Sequence, residues 1–236
     1  MGPARDDVPA EELRRITEIL LAEYSVLSGS LSSVWSASLT RTSLFLGVLS
    51  AVFVALGFAA QAEGGIGGGG VFQAFALAAL PLALLLGIAT FVRTVELQRE
   101  AIVYITGMNR IRGFLVARTP GAAPYLVLST HDDMAGVYRN QGTGIRLRPP
   151  RPQLLFALVQ TQGIIAITCA SLTAGIVGVA TMTSGSAWIW PAAAAAFVVV
   201  VVALFAYWQH AITGIQTAIR PLDPTPPEHV QQQPPI

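Results

Sequence analysis

The sequence predicts an all-α polytopic membrane protein: four transmembrane helices, N-in/C-in topology, and cytoplasmic helical extensions of spans 1 and 2. Three observations carry this expectation. Only 11% of the 236 residues are charged, against about 25% in an ordinary soluble domain, and the mean hydropathy is +0.59. Four apolar stretches reach or approach the roughly 20 residues a helix needs to cross a bilayer. The 14 basic residues, all of them Arg, leave alternate connections empty, and that asymmetry orients the chain.

The elements follow in order. Residues 1–33 read as a cytoplasmic amphipathic helix. Pro9 precedes it, and Glu11 and Glu12 suit a first turn, where the helix dipole favours acids. Leu13, Ile16, Leu20, Tyr24 and Leu27 recur at three- and four-residue steps and form an expected assembly face. Span 1 occupies 34–60. Its Arg41 is expected at the inner interface, on a phospholipid headgroup or an acid such as Glu96, because an Arg at mid-membrane costs at least about 2.5–3.5 kcal/mol. Residues 61–70 form an external glycine-rich loop without a basic residue. Span 2, 71–92, contains Pro81, which a bilayer helix tolerates.

Residues 93–153 are the basic cytoplasmic segment, with nine Arg and four acids against three Arg and six acids in residues 1–33. Val95, Ile102, Ile105, Met108, Ile111 and Leu115 keep helical steps, although Gly107 and Gly113 weaken a helix there. The opposite charges lead us to expect the two extensions to pack as a helical pair, held mainly by the apolar seam, since exposed ion pairs add only about 0.2–1 kcal/mol each. A short helix is expected over 131–139, capped by Ser129 or Thr130. Arg146, Arg148 and Arg151 lie where a chain re-entering the membrane meets anionic lipid headgroups. Span 3 covers 154–182, an external turn 183–187 and span 4 188–209. Trp188 and Trp190 sit at the outer aromatic belt, Tyr207, Trp208 and His210 at the inner one. Residues 210–236, rich in Pro and Gln, read as a disordered cytoplasmic tail.

Two patterns could carry chemistry. His131, Asp132 and Asp133 form the one His/acid cluster and a weak metal candidate. Adjacent residues do not share a helix face, so a helix N-terminus with dipole-stabilised acids is the favoured reading. Span 3 carries Gln160, Thr161, Thr168, Ser171, Gly175 and Gly178 along one stripe, beside a small-residue ladder of Ala166, Ala170, Ala174 and Gly178. Such a helix either lines a polar path or packs tightly on its neighbours. No Asp, Glu, Lys or His lies mid-span, which lowers the expectation of an ion-coupled carrier. Phosphate-loop, nucleophile-elbow and zinc-protease motifs are missing.

The expected function is a homo-oligomeric pore or channel-like assembly in the inner (plasma) membrane. The alternative is a non-conducting scaffold or accessory subunit that binds a cytoplasmic protein partner. An enzyme is not expected, lipid chemistry at His131, Asp132 and Asp133 being a distant third reading. Membrane lipid is an expected partner, nucleic acid is not, and no cofactor is expected.

Overall fold

The computed structural model describes residues 9–64, 70–141, 160–182 and 188–225. Among the described residues all regular structure is helical. Helix α1 spans Ala10–Ala62, α2 Gly70–Arg118, α3 Met134–Asn140, α4 Thr161–Thr181 and α5 Ile189–Ala218, with a 3-10 turn at Pro120–Tyr125 between α2 and α3. Four of these, α1, α2, α4 and α5, are long and apolar enough to cross a membrane, and the chain is a multi-pass membrane protein. At 1.5 Å per residue α4 is about as long as a hydrocarbon core is thick. Helices α1, with 53 residues, and α2, with 49, are each more than twice that and must project well beyond it.

The chain divides into two compact units. One comprises 36–98 and 148–214, here called the span unit. Its centre is an antiparallel pair of α2 and α4. Contacts recur on α2 at Gln73, Leu80, Gly87 and Thr94, every seventh residue. The Gln73 amide donates to the Val179 carbonyl at 3.1 Å, and Gln162 on α4 donates to the Thr94 carbonyl at 3.5 Å. Between these ends, Leu80 lies 3.9 Å from where a Cβ on Gly175 would stand, and Gly87 faces Cys169. One line of buried positions on α2, beside the also buried Phe72, Phe91 and Val95, runs Ala76, Leu80, Ala83, Gly87, Thr90, Thr94 and Leu97. Their alternating steps of four and three are those of a coiled-coil seam. A Cβ on Gly87 would stand 2.7 Å from Cys169 Sγ and 2.9 Å from the Phe45 ring, so glycine is what lets α1 and α4 close on α2 here.

The buried threonines of α2 in the span unit bond back to their own helix. Thr90 and Thr94 donate to the Leu86 and Phe91 carbonyls. Trp208 Nε1 donates to Gln98 Oε1 at 2.8 Å, and Trp208 is buried, whereas Trp188 and Trp190 are exposed. Helix α5 buries none of its most apolar stretch.

The other unit comprises residues up to Trp35, 99–147 and 215 onward, here called the loop unit. The α2 seam continues in it through Ala101, Ile105, Met108 and Arg112. Leu13, Ile16, Leu20, Tyr24 and Leu27 of α1 are half-buried along one face. Leu27 lies 3.0 Å from where a Cβ on Gly107 would stand, and Tyr24 meets Arg112. The face expected to drive assembly is therefore turned, at Tyr24 and Leu27, toward α2 of the same chain.

Two boundaries differ from expectation. The short helix begins at Met134, and its cap is Asp133, whose carboxylate accepts the Gly136 N–H at 2.8 Å. Ser129 is instead buried, its N–H donated to Asn140 Oδ1. The tail expected from 210 is helical to Ala218, and hydrogen bonds fix Leu222, Asp223 and Thr225. These two acids at 132 and 133 provide fixed acceptors that composition alone does not reveal.

Candidate functional site

Two constellations answer to the expected sites. The first is the stripe on α4. The small ladder and the hydroxyl stripe point in different directions. Ala166 and Ala170 are buried, whereas Ser171 and Gly175 are exposed and Thr168 and Gly178 half-buried. Ala166 and Ala170 pack inside the span unit, while Thr168 and Ser171 lie on a more open side. Thr168 Oγ1 donates to the Ile164 carbonyl at 2.8 Å, and Ser171 Oγ to the Ile167 carbonyl at 2.9 Å. Bonded back to their own helix, these hydroxyls cost little where no water reaches them. Gln160 sits at the N-cap, where its side chain makes no capping bond, and Thr161 begins the helix half-buried.

The second constellation is built on residues 129–133 of the loop unit. The Asp132 side chain is 1% exposed. It accepts Arg110 Nε at 2.7 Å, the Leu222 N–H at 2.9 Å and the Asp223 N–H at 2.9 Å. Burial by itself would raise its pKa. The Leu222 N–H, the Arg110 side chain and the Asp223 N–H outweigh that and hold the carboxyl below its usual 3.8. Asp133 caps α3 and also accepts the Thr225 N–H and hydroxyl, both at 2.9 Å. Arg110 Nη2 donates to the Arg220 carbonyl at 2.7 Å. Farther along, Gln216 donates to the Tyr138 hydroxyl. Burial pushes that phenol above its ordinary value, against the smaller effect of the Gln216 bond.

Behind the two acids lies an amide network that the sequence reading did not single out. Asn109 is fully buried. It donates to the His131 carbonyl at 2.8 Å and accepts from Arg112 at 2.9 Å and Asn140 at 2.6 Å. Arg112 also donates to the Tyr24 hydroxyl and lies over that ring at 5.1 Å. A signal was present: Asn109 is a short amide in a stretch whose apolar steps run Ile105, Met108 and Ile111.

The metal reading of His131, Asp132 and Asp133 is not supported. Both carboxylates are occupied by N–H, O–H and guanidinium donors, and among the described residues no group of three His, Cys, Asp or Glu could hold a metal. Arg41 is exposed, and Glu96 pairs with Arg93 at 2.9 Å rather than with Arg41, because residues three apart on one helix are neighbours. Arg146, Arg148 and Arg151 lie outside the described residues. No protein-family model, curated protein or solved structure matches this chain.

Proposed function

We propose that this chain works as a homo-oligomer in the inner (plasma) membrane, with both termini cytoplasmic, and that its copies assemble into a pore or channel-like path. The observation that carries the reading is the division of α4 into two faces. Ala166 and Ala170 are used for packing within the chain, which leaves Thr168, Ser171 and Gly175 on an outer surface. Four spans are too few to enclose a wide aqueous path, so any such path runs between copies, with this polar face toward it. Termini and the 93–153 segment lie on the cytoplasmic side by the distribution of Arg, and Arg41, Arg146, Arg148 and Arg151 meet lipid headgroups there.

Flux through liposomes reconstituted with the purified protein tests the reading, together with its size in detergent. We expect an oligomer and a leak of small ions that changes when Thr168→Val and Ser171→Ala are combined. A monomer, or vesicles that stay tight at every voltage, would overturn it.

A second reading is a non-conducting scaffold that binds a cytoplasmic partner. It is favoured by the exposed apolar run Tyr125, Leu126, Val127 and Leu128 in the loop unit. An oligomer without flux would favour this alternative.

A further inference from the structure

The segment after α5, residues 219–225, lies on the 129–133 loop in an unusual way. Beyond the half-buried Ile219 its attachments are polar. Residues 220–224 are exposed, and Leu222 is 78% exposed, so almost no apolar burial holds them. Their attachment consists of the Leu222, Asp223 and Thr225 N–H groups and the Thr225 hydroxyl on Asp132 and Asp133, and of Arg110 on the Arg220 carbonyl. A segment held this way responds to charge far more than to hydrophobic packing.

One group beside it is incompletely used. His131 Nδ1 is buried and has no hydrogen-bond partner, and it lies 3.5 Å from Asp223 Oδ2. A neutral imidazole can turn a lone pair toward that carboxylate, which repels it. An imidazolium presents an N–H and a positive charge. The other charged and titratable groups nearby on these elements are Arg110, Arg112 and Arg118 on α2, Tyr138 and Arg139 on α3, Arg220 on the segment itself, and Asp132 and Asp133 beside His131. Arg110 is engaged by Asp132 and by the Arg220 carbonyl, and Arg112 by Asn109 and Tyr24. Asp223 is thus the carboxylate placed to receive a proton-borne charge on His131. Gly113 makes room for the arrangement: a Cβ there would stand 3.0 Å from the Thr130 carbonyl and 3.8 Å from Asp223 Oδ2.

We propose that residues 219–225 form a strap whose hold on the 129–133 loop tightens when His131 takes up a proton. Histidine is the side chain whose charge changes between about pH 5 and 8. Asp132 stays ionised across that window, so the strap's main acceptor persists while the His131–Asp223 pair forms. Mild acid therefore fastens the end of α5, and neutral or alkaline conditions loosen it.

Hydrogen exchange on the full-length protein in detergent tests this. The quantity is the protection of the Leu222, Asp223 and Thr225 amides, relative to intrinsic exchange at each pH. We expect it to rise roughly two- to fivefold from about pH 7.5 to 5.5, the size of a partly exposed ion pair. The rise should vanish in His131→Gln and in Asp223→Asn, while the amides of Ile105–Met108 keep their protection. Absence of the rise in the unmodified protein, or its survival in either variant, overturns the proposal. Should His131→Gln also lose the α2 protection, Asp223→Asn decides, because that side chain is 66% exposed and the change leaves every backbone donor in place.

Discussion

The span unit and the loop unit are held together by opposite means, although α2 supplies one side of both. In the span unit the closest approach is made by the absence of a side chain: Gly87 against Cys169 and Phe45. Polar bonds between α2 and α4 occur at the two ends of the pair, at Gln73 and Gln162. In the loop unit the centre is polar, with Asn109, Arg112, Ser129 and Asp132 all buried. The difference follows from the surroundings. Between helices in lipid, water release gives no drive, so close packing of small residues must hold them. Where water competes, a buried amide or carboxylate specifies one arrangement because every alternative leaves it unpaired.

That contrast can be broken from either side. The largest effect is expected from Asp132→Ala, which leaves two strap N–H groups without their acceptor and Arg110 without its carboxylate. A loss of about 2–4 kcal/mol is expected, read as a lower unfolding midpoint of the loop unit and faster exchange at Leu222 and Asp223. Gly87→Ala should cost about 1–3 kcal/mol through overpacking, seen as a lower thermal midpoint in detergent. Addition of Cys169→Ala should return part of it, because the space taken by the new methyl is freed.

Acid separates the units further. The Asp132 carboxyl is held below 3.8 in the folded chain. Its contribution is therefore complete above that value and is lost as pH falls through the lower, folded one. The strap should stay protected at pH 5 and open only in stronger acid, a sequence that exchange along a pH series would show. The smallest effect belongs to Thr168→Val with Ser171→Ala. Both hydroxyls bond to their own helix, so the pair should shift stability by no more than about 0.5 kcal/mol. A large loss in detergent would mean that the outward stripe is a packing surface between copies.

Sequence patterns revealed the four spans because length and hydropathy suffice for that. The helical continuation past Arg93 was also legible from the steps of Val95 to Leu115. The α2 seam was not, because apolar residues surround it on every side and hydropathy has no direction there. Gly107 and Gly113 read as weak points of a helix, yet they admit Leu27 and the Thr130 carbonyl. The strap was illegible for another reason: its stability comes from Asp132 and Asp133, some ninety residues earlier in the chain, and a Pro-rich tail gives no sign of so distant an acceptor.

The seam of α2 in the span unit, from Ala76 to Leu97, limits how the gene can change. A single residue inserted between Leu80 and Gly87 would turn Gly87 and Thr94 by about 100° relative to Gln73 and Leu80, taking them away from Cys169 and Gln162. Seven inserted residues would return the face to within roughly 20° of its place. Viable changes of length in this pair should therefore arrive in sevens on α2 and α4 together, and a matched insertion series of one to seven residues, scored for folded protein, would display that arithmetic.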